Sequence, residues 1–265
     1  MLGAIFGDIV GSVYEFRNTH DYNFRLLSER SHFTDDSVMT LAVAKGLMES
    51  KGKEDREVKD ALIDAMKELG KRYPDAGYGG MFYHWVLGED RKPYRSYGNG
   101  SAMRASSAGW LYATLEETLH AAKLSAEVTH NHHEGIKGAQ ATAAAIYLAR
   151  NGKSKEEIKD YIEKEFGYDL NKSMKDIVSK GHGEEICQVS VPQAFVCFLR
   201  SESFLDTIRK SVSIGGDSDT IACIAGSIAE AYYGIDEEYV KEVYARLPED
   251  LAKILDDFHE SVKVQ

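Results

Sequence analysis

Apolar residues recur along the chain at intervals of three and four, the spacing that gathers them on one side of an α-helix. No stretch sustains the period-two alternation of a half-buried strand, and only four prolines interrupt the pattern. The periodicity predicts helices over residues 2–14, 35–50, 54–72, 101–113, 115–129, 134–151, 154–166, 171–180, 190–200, 203–211, 219–233, 236–246 and 248–262. Cap chemistry agrees locally: Ser154 precedes KEEIKDYIEKEF with Glu157 placed for a reciprocal capping box, and Asp236 precedes EEYVKEVYARL. Gly3, Gly7 and Gly11 recur every four residues and so share one face of the first helix, which invites another backbone to approach closely. Gly226 with Ala222 and Ala229 suggests the same of a late helix. Residues 16–34, 73–100 and 181–189 carry Gly, Tyr, His and Asn without apolar periodicity, and irregular segments this long in a compact protein are usually functional or disordered.

With 43% hydrophobic residues among 265, the chain can bury a sizeable core, expected as one domain over residues 1–265. A net charge of -11 argues against a sequence-independent grip on nucleic acid, and its simplest meaning is solubility. Cys187, Cys197 and Cys223 lack the spacing of a zinc site and the density of a disulfide framework, so they read as buried thiols in a reducing, cytoplasmic setting. The opening MLGAIFGDIVGSVYEF has no basic start and is broken by Asp8. It reads as a buried helix rather than a signal peptide, and it is too short and polar to span a membrane.

The sharpest chemistry lies in two acidic clusters far apart in sequence: Thr34-Asp35-Asp36 opening one helix, and Asp217-Ser218-Asp219-Thr220 opening another after Gly215-Gly216. Each cluster alone has an ordinary explanation, because Thr and Asp cap helix starts. Capping uses one acceptor, however, whereas Asp35 and Asp36 are adjacent and repel unless a cation or solvent intervenes. Each cluster is followed at once by an apolar run, SVMTLAVAKGLM or IACIAGSIAEAYY, which sets the carboxylates at the mouth of a buried helix pair. Charge held beside a core needs a counter-charge. Hard oxygen donors without cysteine suit Mg²⁺, Mn²⁺ or Ca²⁺ and disfavour zinc or copper.

These blocks, taken in order, resemble a known family. Gly3, Gly7-Asp8, Gly11 and Glu15, then Phe33-Thr34-Asp35-Asp36-Ser37, then Tyr97-Gly98-Asn99-Gly100-Ser101-Ala102-Met103-Arg104, then Thr129-His130, then Gly215 to Thr220 look like the motif set of the ADP-ribosylglycohydrolases and span nearly the whole chain. The resemblance implies an all-α, orthogonal multi-helix bundle with a central cleft holding two Mg²⁺ or Mn²⁺ ions. It implies Thr34, Asp35, Asp36, Asp217, Asp219 and Thr220 as their protein ligands. It further implies a hydrolase that cleaves the glycosidic bond between ADP-ribose and a modified protein side chain or small molecule, releasing free ADP-ribose. Glu15, taken to end the first helix, matches the family's glutamate near the scissile bond and is expected to orient a hydroxyl or water there. Asp8 is expected to support the site without acting on substrate.

The glycines and Asn of YGNGSAMR permit a tight turn whose N–H groups can cradle a diphosphate. The matching family loop implies Asn99, Gly100, Ser101 and Met103 as substrate contacts, while Arg104 has two readings, holding a phosphate or tying a buried acid. The run Thr129 to Glu134 invites a zinc reading, but the adjacent His132 and His133 point in different directions. The resemblance places His130 beside the ADP-ribose cleft, with His132 a weaker neighbour. Tyr78, Phe82, Tyr83, Trp85, Tyr94 and Tyr97 include candidates for stacking on adenine, although aromatics at helical spacing are more often core. Two positions depart from the family pattern: His133 stands where a proline is common, and Glu230 stands where a small residue is common, a change expected to affect packing or a rim. Two other readings compete. A terpenoid synthase needs acids along one helix face, which Ser37, Val38 and Met39 do not supply. A silent ADP-ribose-binding or crystallin-like structural member is opposed by the intact set of ligand positions together with Glu15.

Overall fold

A helix that is apolar all round and carries three glycines on one side belongs at the centre of a protein, pressed against another backbone. In the computed structural model, which describes residues 1–179 and 183–263, α1 (Leu2–Gly11) is such a helix, buried along its whole length. Around it run α2 (Asp35–Glu49), α3 (Asp55–Arg72), α4 (Gly80–Leu87), α5 (Gly100–Met103), α6 (Ser106–Leu111), α7 (Leu115–Glu127), α8 (His133–Arg150), α9 (Lys155–Phe166), α10 (Cys187–Leu199), α11 (Phe204–Ser213), α12 (Ser218–Tyr233), α13 (Glu237–Tyr244) and α14 (Glu249–Lys263). Among the described residues there is no strand, only the single bridge between Gly98 and Ile186. The fold is all-α, as the periodicity indicates. No described helix is long and apolar enough to cross a membrane.

The partner of α1 is α12. A Cβ placed on Gly7 would lie 2.1 Å from the carbonyl oxygen of Ala222, one on Gly3 2.3 Å from that of Gly226, and one on Gly11 2.4 Å from the Cα of Asp219. No side chain fits at these distances, so the glycines seat α1 directly on the α12 backbone. The seam also sets the site, because Asp8 lies on α1, Glu15 follows it, and Asp217 and Asp219 open α12.

Glu230 acts at the far end of the seam, away from the acidic clusters. Its Oε2 accepts from the α-amino group of Met1 at 2.7 Å and from the Gly3 N–H at 2.8 Å, satisfying the free start of α1. Its departure from the family pattern therefore bears on packing. Glu230→Ala should cost about 2 kcal/mol by stranding these donors, lowering the thermal midpoint by roughly 5 °C in a calorimetric scan without changing activity.

Several sequence expectations shift. The predicted helix over 171–180 does not form among its described residues, Lys180 lying outside them. Glu163 takes the Leu170 N–H and the Asn171 amide, and Asp176 takes the Ser173 N–H and hydroxyl, so side chains divert the backbone. Residues 181 and 182 of the irregular stretch 181–189 are likewise outside the described residues. Conversely, the aromatic segment read as loop contains α4, whose Phe82, Trp85 and Val86 are buried at helical spacing. The helix expected over 101–113 is two short pieces, and α1 stops at Gly11, so Glu15 sits beyond the helix and does not end it. The Ser154–Glu157 capping box forms as expected, whereas Asp236 occupies its cap position without a side-chain bond. All three cysteines are buried and free.

Candidate active site

Asp8 is buried in the core and receives the Thr34 N–H at 2.9 Å, the Thr34 hydroxyl at 2.7 Å, the Ser37 N–H at 3.1 Å and the Ser37 hydroxyl. A carboxylate on α1 thus satisfies the start of α2 and fixes the direction in which Asp35 and Asp36 leave it. Burial still pushes the Asp8 carboxyl up, against the pull of those donors.

The two acidic clusters meet across the glycine seam. The ligand atoms of Glu15, Asp217 and Asp219 lie within 4.8 Å of one another, and Asp36 Oδ2 accepts the Thr220 hydroxyl at 3.0 Å. Asp36 Oδ1 is buried and finds no donor. Burial, then the charges of Asp8, Asp217 and Glu15, raise the Asp35 carboxyl well above the ordinary range. Burial, then Asp8, Asp35 and Asp217, do the same to Asp36, and burial, then Asp217 and Asp36, to Asp219. A largely buried group of carboxylates that raise one another's protonation, with the orphaned Asp36 Oδ1 among them, is an oxygen donor set of the kind that a divalent ion occupies. Glu15, Asp35, Asp36, Asp217, Asp219 and Thr220 all line one cavity of about 590 Å³, in the range of small-ligand sites.

Comparisons with known proteins place the chain in a family. The family model described as ADP-ribosylglycohydrolase matches residues 1–265. The chain belongs to the ADP-ribosylglycohydrolase family. Human ADP-ribosylhydrolase ARH3 is 30% identical over 314 aligned positions, covering 89% of this chain and 85% of that protein. ADP-ribosylarginine hydrolase Tri1 of Pseudomonas putida (strain GB-1) is 26% identical over 277 positions, covering 92% of this chain and 72% of that protein. A solved structure titled "ADP-ribosylglycohydrolase-related protein complex" superposes with a TM-score of 0.67 at 22% identity over 98% of this chain and 97% of that one, a likeness of fold.

Within this ADP-ribosylglycohydrolase, Asn99, Gly100, Met103 and His130 also line the cavity. Asn99 donates to Asp217 Oδ2 at 2.6 Å and to the Ser190 hydroxyl at 2.9 Å, so it holds an acid of the cluster in place. Ser101 is not among the lining residues; its hydroxyl donates to the Gly135 carbonyl at 2.7 Å, behind the wall. Thr34 likewise lies beneath the cavity, with its hydroxyl committed to Asp8. The helix after the GNG turn is a single turn, Gly100–Met103, so little dipole is available at its start. Of the aromatics, Tyr78 and Trp85 belong to the core and Tyr83 is off the cavity, leaving Phe82, Tyr94 and the 47% exposed Tyr97 on its wall. His132 caps α8 by accepting the Glu134 N–H and packs against Tyr97 with the rings tilted, their centroids 5.2 Å apart.

Asn18 is a positioning residue that sequence reading passes over. Its amide donates to the carbonyls of Tyr14 (2.9 Å), Glu15 (3.0 Å) and Gly216 (2.8 Å), and its carbonyl accepts the Gly216 N–H at 3.0 Å. It thereby clamps the turn carrying Glu15 to Gly215 and Gly216, which adopt the left-handed φ values of 71° and 82° that deliver Asp217. A lone Asn in an irregular stretch carries no pattern that would single it out.

Proposed function

We propose that this chain is a divalent-cation-dependent hydrolase that cleaves the glycosidic bond between ADP-ribose and an acceptor, a modified protein side chain or a small molecule, and releases free ADP-ribose. The observation that carries the reading is the acidic donor set of Glu15, Asp217 and Asp219, with the orphaned Asp36 Oδ1 beside it in the same cavity. Membership of the family and the names of its relatives support the same substrate class.

In this reading Asp35, Asp36, Asp217, Asp219 and Thr220 hold two Mg²⁺ or Mn²⁺ ions, with Thr34 beneath them. Bound there, the ions would offset the carboxylates and bind ribose hydroxyl oxygens. Glu15 borders both the acidic group and the cavity, and its role is to orient a hydroxyl or water at the anomeric carbon and take its proton. Asn99, Gly100, Met103 and His130 hold the nucleotide part, and Ser101 shapes the loop that carries them. The three buried free thiols fit a reducing, cytoplasmic setting.

The test is a release assay on ADP-ribosylated arginine, serine and small-molecule substrates, run with Mg²⁺, with Mn²⁺ and with EDTA. Release of ADP-ribose from at least one substrate, lost on chelation and restored by added cation, is the expected result. Absence of cation-dependent release across the panel, with ADP-ribose still bound, would mean a binding protein and overturn the hydrolase reading.

A further inference from the structure

Arginine is a donor only, and that fact orders a buried chain of hydrogen bonds behind the cavity wall. Arg104 is fully buried. Its Nη2 donates to the Ser125 carbonyl at 2.9 Å and to Thr129 Oγ1 at 2.8 Å, and the same Thr129 oxygen lies 2.7 Å from His130 Nδ1. Because Thr129 Oγ1 already accepts from Arg104, its own hydrogen is free to point at His130 Nδ1, the other atom within its reach. Thr129 is itself fully buried, so an undirected hydroxyl hydrogen would be costly there. Nδ1 is then the acceptor, and the ring proton sits on Nε2. Burial and the Arg104 charge both hold the imidazole well below its ordinary pKa, so the ring is uncharged at neutral pH.

Nε2 faces the glycine turn. A Cβ at Gly100 would lie 3.3 Å from it and one at Gly98 3.5 Å, so the absence of side chains there leaves the nitrogen open to the cavity that His130 lines. Arg104 lines the same cavity, makes no ion pair among the described residues, and keeps Nε and Nη1 without a partner. That disposes of the reading in which it ties a buried acid. It leaves a buried positive charge behind a neutral donor, on a cavity that the acidic cluster also lines.

We infer that Arg104 and Thr129 are positioning residues that lock His130 as an Nε2–H hydrogen-bond donor for an anionic oxygen of the bound ligand. On the function proposed above, on which this inference rests for the identity of the ligand, that oxygen belongs to the diphosphate. The relay gives the cavity wall two chemistries: carboxylates for cations and hydroxyls, and a fixed N–H backed by a guanidinium for phosphate.

Nitrogen-15 spectra of the imidazoles in the ligand-free protein, with His130 assigned by its loss in His130→Gln, should show one tautomer protonated at Nε2. A His130 proton on Nδ1 overturns the relay whatever the enzyme does. Titration with ADP-ribose then tests its use. Thr129→Val, which keeps the shape and loses the hydroxyl, should mix the tautomers and weaken binding about tenfold, and Thr129→Ser should restore both. Unchanged affinity in Thr129→Val, or equal weakening in Thr129→Ser, refutes the positioning role. Failure of the wild-type protein to bind ADP-ribose would instead count against the ligand assignment, and the spectra would still decide the relay.

Discussion

Glu15→Gln should bind ADP-ribose within a few-fold of the wild-type affinity and release it from a modified acceptor at least a hundredfold more slowly. Glutamine keeps the size and reach of the side chain but cannot take a proton, and a positioned general base is ordinarily worth about 10²- to 10⁴-fold. The loss should fall on kcat, with KM little changed, because Glu15 faces the reacting bond in the proposed arrangement and not the nucleotide. The same change removes one negative charge from a cavity already crowded by Asp217 and Asp219, so the metal-free variant should unfold at a temperature no lower than the wild type. Single-turnover kinetics beside calorimetric titration separate these effects, and an undiminished kcat would remove Glu15 from the chemistry.

A second large effect is expected at Asp36. Asp36→Asn should lower cation-dependent turnover by about a thousandfold and abolish most of the rise in thermal midpoint that Mg²⁺ produces in the wild type. Asp36 Oδ1 has no donor, and its Oδ2 accepts from Thr220, so the residue joins the two clusters and, in the proposed arrangement, would tie both to the cation. The pH dependence follows from the raised carboxyls of Asp35, Asp36 and Asp219. Without a cation, the fold holds protons that the unfolded chain has already released above the ordinary carboxylate range. Stability is therefore full at acid pH and is lost as pH rises through the folded-state values. A bound cation would replace those protons, so the Mg²⁺-induced shift in midpoint should grow as pH rises above the ordinary carboxylate range. Melting curves in EDTA and in Mg²⁺ across that rise measure it. In Asp36→Asn the slope of the metal-free protein should flatten, and an unchanged slope would argue that these carboxyls do not share one charge problem.

Much of this arrangement is readable from residue order alone. The glycine spacing in α1 announces a bare backbone contact, and adjacent acids before an apolar run announce charge held beside a core. What is not readable depends on partners brought from elsewhere in the chain. Asp8 looks like an isolated acid in an apolar helix until Thr34 and Ser37 arrive to satisfy it. Asn18 looks like loop filler until Gly216 docks. Thr34 and Ser101 read as ligand or substrate contacts because their motifs sit at the cavity, yet their hydroxyls turn to Asp8 and to the Gly135 carbonyl. The segment 171–180 has helical periodicity, yet among its described residues no helix forms, and Glu163 and Asp176 draw the Leu170 and Ser173 N–H groups to themselves. Local pattern governs an element when its backbone groups have no better offer.

The glycine seam also governs when the site can exist. Asn18 and Gly216, which close the turn around Glu15, are 198 positions apart, so a growing polypeptide must be extended well past the first of them before the two can touch. Until α12 emerges, the glycine face of α1 has nothing to press against and exposes an apolar helix that invites aggregation. A divalent ion gripped from both sides would stabilise only a chain that already includes residues 34–36 and 217–220, since a shorter one lacks the second set of ligands. Cation supply during synthesis should thus affect the yield of folded enzyme as well as its later turnover.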